Sequence, residues 1–155
     1  MFVLRRALWI FELAACSALG CSACQDDVHK DIHGNIHVVV NRDDSFLAPA
    51  VAELERYGLA ALPQIETALH SAKPDGRLRL VQVMAHIDQT DTVPLLRHLG
   101  LFDADERVRK LAENTLLLWS AQTKRPTLTV ASTKALEWLR ESRGKGLGPM
   151  VRETR

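Results

Sequence analysis

From Phe46 to Ser142 the apolar positions recur at helical spacing, three or four residues apart, in blocks of 10 to 17 residues separated by turn signals. Phe46–Tyr57 carries Leu47, Val51 and Leu54 on one stripe, with Asp43-Asp44-Ser45 as N-cap candidates and Gly58 as the stop. Ala60–Ser71 follows with Leu62, Ile65 and Leu69 in register, and Pro63 is tolerated in its first turn. Lys73-Pro74-Asp75-Gly76 reads as a turn. Arg77–Ile87 then places Leu78, Val81, Met84, Ala85 and Ile87 inward, and Thr92–Phe102 buries Val93, Leu96 and Leu99. Asp103-Ala104-Asp105-Glu106 opens the longest helix, through Ala121, with Val108, Leu111, Ala112, Thr115, Leu116 and Trp119 as its stripe. Its acidic start complements the helix dipole, and Asp105 with Arg109 forms an i, i+4 pair in the favourable order. Lys124-Arg125-Pro126 breaks the pattern before a last helix, Ala131–Ser142, around Ala135, Leu136, Leu139 and Trp138. Residues 144–155, rich in glycine and basic side chains, read as a flexible tail.

Upstream the period changes. Asp31–Val40 alternates polar and apolar residues around Gly34-Asn35, which predicts a β-hairpin over 28–40 inside a tether spanning 16–44. His29, His33 and His37 are spaced by four. On a helix they would share one face as candidate metal ligands; in the hairpin His37 points away from the other two, so no metal site is expected. The first 15 residues differ again: Arg5-Arg6 and then an apolar run, Ala7–Ala15, broken by Glu12. This is the layout of an export signal, too short to span a bilayer.

Within the helical region, Leu62-Pro63-Gln64-Ile65 recurs as Val93-Pro94-Leu95-Leu96, displaced by 31 residues. Each copy runs as an apolar helix, an acidic turn and a second apolar helix. A fixed period of this size marks stacked helical hairpins, each covering the apolar face of the next.

Composition changes little in this picture. At 155 residues, 46% hydrophobic and 25% charged, the chain has the makings of one domain with its own core. Net charge is +1, so no global field attracts nucleic acid. Charge is uneven, however: residues 26–60 carry seven acidic and three basic side chains, and residues 122–155 carry eight basic and three acidic. All three cysteines fall within Cys16–Cys24, outside the helical region, so they do not staple the fold. The CxxC of Cys21 and Cys24 lacks the strand-to-helix setting of a redox site.

Two resemblances add to this reading. Leu13-Ala14-Ala15-Cys16-Ser17 resembles the lipobox of bacterial lipoproteins, which implies cleavage after residue 15, acylation of Cys16 (with Cys21 as the alternative) and a lipid anchor in the cell envelope, a cytoplasmic location being the alternative. Pro94, Leu96, Leu99, then Asp105-Glu106-Arg107-Val108-Arg109-Lys110-Leu111-Ala112 and Leu116 resemble a HEAT repeat of the short bacterial kind called PBS-lyase-like. In the first copy Asp75 and Arg79 are the approximate counterparts of the Asp-x-x-Val-Arg turn. The resemblance implies an all-α fold, a short α-solenoid over residues 45–143, with Pro63, Pro94, Asp105, Val108, Arg109 and Ala112 as repeat-defining residues. It also implies that Arg109 ties adjacent turns through acids such as Asp105.

Solenoids of this kind bind partners on the face lined by the second helices. Here that face would carry Arg79, Gln82 and His86 on one helix and Lys110, Glu113, Asn114 and Leu117 on the other, a mixed strip suited to a protein or peptide. No enzymatic role is expected. HEAT-like hydroxylases use His-Glu pairs, and the sequence has none; HEAT-like glycosylases use a basic groove, and residues 61–121 carry seven basic against eight acidic side chains. A chromophore-lyase-like role sits poorly with an export signal. The sequence thus points to a non-catalytic, lipid-anchored binding protein with no cofactor; the alternatives are an accessory subunit of an enzyme system and a cytoplasmic binding module.

Overall fold

The computed structural model describes residues 22–41 and 46–149, and among them every regular element is helical, with no strand. The elements are α1 (Ser22–Asn41), α2 (Leu47–Tyr57), α3 (Leu62–Ser71), α4 (Pro74–Ile87), α5 (Val93–Phe102), α6 (Glu106–Ser120) and α7 (Pro126–Gly144). Single 3₁₀ turns at Gly58–Ala61 and Thr90–Thr92 lead into α3 and α5. The expected signal segment, Cys16, Cys21 and the caps Asp43-Asp44-Ser45 lie outside the described residues.

The hairpin reading of residues 28–40 is wrong: these residues lie within the helix α1. The reason is burial. Ile32, Ile36 and Val39 recur at i, i+4 and i+7 and are all but fully buried, so the β-branched residues pack as a helical stripe. Gly34, read as a turn residue, sits on the exposed side of α1 with open space around its Cα. The alternation around it was too short to separate a period of 2 from one of 3.6. Because α1 packs against α2, α3 and α4, residues 22–41 belong to the helical body and not to a tether.

The helices pack in consecutive pairs: α1 with α2, α3 with α4, α5 with α6. α2, α4 and α6 touch in series, and α7 closes the far end against both α5 and α6. One contiguous core runs through all of them, from Ile32 to Leu139. α4 lies at its centre, in contact with α1, α2, α3 and α6. A helix covered on several sides needs more than one apolar stripe. Accordingly Leu80 and Val83, both off the predicted stripe, are fully buried beside Val81 and Met84, whereas Leu78 and Ala85 are only half-buried. α5 is likewise wrapped further than its pattern implies, with Leu101 buried; a Cβ added at its Gly100 would come within 3.4 Å of Leu139 on α7.

Helix ends follow local chemistry. Gly58, at φ +55°, closes α2 by donating to the carbonyls of Leu54 and Glu55. Prolines stand in the first turn of α3, α4, α5 and α7, where the missing N–H has no helical partner to lose. For that reason α4 starts at Pro74, three residues before the predicted Arg77, and α7 starts at Pro126, five before Ala131. Beyond Gly144 the chain stays ordered long enough to cap α7, the Leu147 and Gly146 amides bonding back to Ser142 and Arg143.

Candidate binding face

The turns between paired helices hold the ionic framework. In the turn between α5 and α6, Asp103 accepts two hydrogen bonds from the Arg77 guanidinium on α4, both 2.8 Å, and a third from the Asp105 amide at 2.8 Å. Its side chain is only 3% exposed, and that of Arg77 17%. These hydrogen bonds raise the Arg77 pKa above its ordinary value, with burial opposing. A bidentate pair of this kind fixes distance and orientation together, so it sets how α4 sits against the next pair.

Asp105 is the N-cap of α6, accepting from the Arg107 amide at 2.8 Å and from the Arg107 side chain. The side-chain bond is the main cause of an Asp105 pKa lowered to about 2. Arg107 also reaches Asp75 on α4 at 3.1 Å. Arg109, expected to pair with Asp105 and tie adjacent turns, instead donates to the backbone oxygens of Asp103 and Ala104 and closes the end of α5. The tie between pairs is made by Arg77 and Arg107. The i, i+4 geometry allowed Asp105 to reach Arg109, but an N-cap carboxylate turns back toward its own first turn, where Arg107 stands. Pro63 and Pro94 open equivalent helices, and Val108 and Ala112 are fully buried on α6.

Of the seven residues expected on the partner face, three come together. Arg79, Gln82 and His86 border a shallow depression with Leu47 and Val51, between α2 and α4. Four of the seven have partners within the protein. Arg79 donates to the carbonyls of Val39, at 2.8 Å, and Val40, and so caps the end of α1. Glu113 pairs with Arg143 of α7 at 2.9 Å. His86 contacts Glu55, and exposed Lys110 pairs with Glu106 at 2.7 Å. Asn114 is exposed on α6, and neither it, Lys110 nor Glu113 lines the depression that holds Arg79.

Two concavities larger than this depression flank α3. Between α3 and α5 runs a groove of about 640 Å³ bordered by Glu66, His70, Leu95, Arg97, His98 and Phe102, with the Arg77–Asp103 pair at its base. Phe102 is 42% exposed at its rim, its ring 5.0 Å from that of His98. Arg97 stacks 4.5 Å from the Trp138 ring of α7. Between α1 and α3 lies a second groove, about 440 Å³, bordered by His29, His33, His37, Gln64, Thr67 and Ser71. Five of the six histidines of the chain therefore line these two grooves. Sequence reading missed this because the grooves are set by the separation of α3 from its neighbours, and three of those histidines were assigned to a strand.

Among the described residues no group of three or more His, Cys, Asp or Glu side chains is arranged to hold a metal ion, and no helix is long and apolar enough to cross a membrane. No family model, no curated protein and no solved structure matches this chain.

Proposed function

We propose that this chain is a non-catalytic binding protein, a short α-solenoid of HEAT-like helical pairs that presents the α3–α5 groove to a segment of another protein. The observation that carries the reading is the make-up of that groove. Half-exposed Phe102 and half-buried Leu95 offer apolar anchor area, and Glu66, His70, Arg97 and His98 form a polar rim. Apolar anchors within a polar rim are the anatomy of a protein interface. The series contact of α2, α4 and α6 and the 31-residue recurrence of the Pro-bearing helices support the solenoid reading.

The strip on α4 and α6 is the weaker surface, since Arg79 and Glu113 are held by internal partners. The lipobox-like leader supports export and an anchor at Cys16, which would keep the binding face at a membrane with little further chain needed.

Two comparisons test this. Affinity capture from envelope extract, with Phe102→Ala and His98→Ala together on one bait and Gln82→Ala, His86→Ala, Lys110→Ala and Asn114→Ala on another, is expected to lose the specific partner only with the first. Loss with the second alone moves the interface to the α4–α6 face. Membrane partition of the full chain against Cys16→Ser reports on the anchor, and equal solubility of the two rejects it.

A further inference from the structure

The helical state of residues 22–41 changes the standing of the α1 histidines. His29, His33 and His37, at i, i+4 and i+8, all border the groove between α1 and α3. Neighbours at i and i+4 stand about 6 Å apart along a helix axis and on the same side, which lets two imidazoles close on one ion. Residues at i and i+8 are about 12 Å apart, too far to share a cation whose bonds to nitrogen are ~2.0–2.1 Å. Any site on this stripe is therefore a pair, and His33 belongs to both possible pairs.

Hydrogen bonding chooses between them. The Gln64 side-chain amide lies 3.1 Å from His29 Nδ1 and donates to the His29 carbonyl at 3.2 Å. An amide N–H at Nδ1 makes that nitrogen the acceptor and puts the ring proton on Nε2, so ligation by His29 has to displace the Gln64 contact. His33 and His37 are exposed, and no hydrogen bond ties either ring among the described residues. We infer that His33 and His37 form a two-imidazole chelate for a first-row divalent cation of the imidazole-preferring kind, Zn²⁺ or Ni²⁺, at the mouth of the α1–α3 groove.

The surroundings are consistent with a cation. α1 carries Asp26, Asp27 and Asp31 against Lys30 alone, all exposed. Facing the pair from α3 are the neutral Thr67 and Ser71, whose hydroxyls donate to the Pro63 and Ala68 carbonyls and leave oxygen lone pairs for coordinated water. Of the C-terminal carbonyls of α1, those of Val39 and Val40 are engaged by Arg79. Water completes the coordination, so the site is open and exchangeable, unlike a closed structural centre. The inference does not depend on the α3–α5 groove or on the identity of any protein partner.

The test is titration of the full chain, its cysteines alkylated so that thiols cannot compete, with Zn²⁺ and separately with Ni²⁺. Calorimetry gives stoichiometry and affinity, and the imidazole proton resonances give the ligands. The expected result is one cation per chain, with the His33 and His37 resonances moving first and the cation released on acidification, as protonation removes the ligating lone pair. Since the second imidazole binds intramolecularly, His33→Ala and His37→Ala each weaken binding by about tenfold or more, whereas His29→Ala, His70→Ala and His98→Ala leave it unchanged. Both variant positions are exposed, and unchanged far-UV circular dichroism verifies that the fold is kept. Absence of saturable binding, or His33→Ala binding like the parent chain, overturns the site. A loss with His29→Ala but not His37→Ala overturns the choice of pair.

Discussion

α1 and the α5–α6 pair are both helical, but they are helical for different reasons. α6 carries its own instructions. Asp105 caps it, Glu106 stands in its first turn, Lys110 pairs with Glu106 one turn on, and the stripe Val108, Ala112, Thr115, Leu116 and Trp119 is buried. α1 has no acidic residue in its first turn and no basic one in its last, and Gly34 lies in its interior. Its supports come from outside: Arg79 on the Val39 and Val40 carbonyls, Gln64 on the His29 carbonyl, and a core that buries Ile32, Ile36 and Val39. Where local signals are weak, the secondary structure follows whichever arrangement buries the apolar residues, and here that is a helix lying across α2 and α4.

The contrast can be broken at its strongest point first. Replacing Arg77 by Met leaves the Asp103 carboxylate buried with only the Asp105 amide as partner. The loss is expected to be about 3 kcal/mol, at the lower end for a broken buried pair because Arg77 is partly exposed, and chemical denaturation measures it. Next is Ile36→Ala, which removes core volume where α1 meets the body and is expected to cost about 2.5 kcal/mol. Hydrogen exchange should then show α1 opening separately from α5 and α6, whereas uniform protection across all three would erase the distinction between them.

Arg79→Met frees the carbonyls at the end of α1, and about 1.5 kcal/mol of destabilisation is expected. This is about half the effect at Arg77, because the Arg79 partners are neutral carbonyls. Gly34→Ala is smaller and carries the most informative sign. On an exposed helical face with free space around it, alanine is expected to stabilise by about 1 kcal/mol; in a tight turn the same change would destabilise, so a lowered melting temperature would reinstate the hairpin.

The smallest effect is a pH dependence. Asp105 is held at about 2 against an ordinary 3.8, so its contribution is complete above the higher value and disappears as pH falls through the lower one. The melting temperature should fall from pH 4 toward pH 2, and Asp105→Asn, which keeps the cap but not the charge facing Arg107, should flatten that decline.

Much of the helical body could be read directly. Pro63 and Pro94 mark real helix starts, Gly58 a real stop, and the α6 stripe is buried nearly as expected, because capping, proline geometry and a 3.6-residue period act within a few residues of one another. What misled were positions whose environment comes from distant chain. Leu80 and Val83 looked peripheral on a single-stripe helix and are core because α4 has neighbours on several sides. Arg79 looked like a binding residue and is a cap for α1, 40 residues away in sequence.

The candidate sites divide the same way. The amide and charged strip on α4 and α6 was predicted from helix phase alone, and two of its three charged members, Arg79 and Glu113, turned out to be bound to other helices. The grooves beside α3, and the histidines that line them, follow from how far α3 stands from α1 and α5, a distance no local pattern encodes.

The sequence by itself determined an all-helical body over residues 46–142, its proline-started helices and the acidic turn that opens α6, since these depend on contacts within one or two turns. Only the tertiary structure decided that residues 22–41 join that body as a helix, which arginine ties one pair to the next, and where the grooves open. Each of those outcomes is a competition among contacts separated by 26 to 40 residues, as in Arg77 with Asp103 and Arg79 with Val39, and such a competition is settled only when the whole core closes.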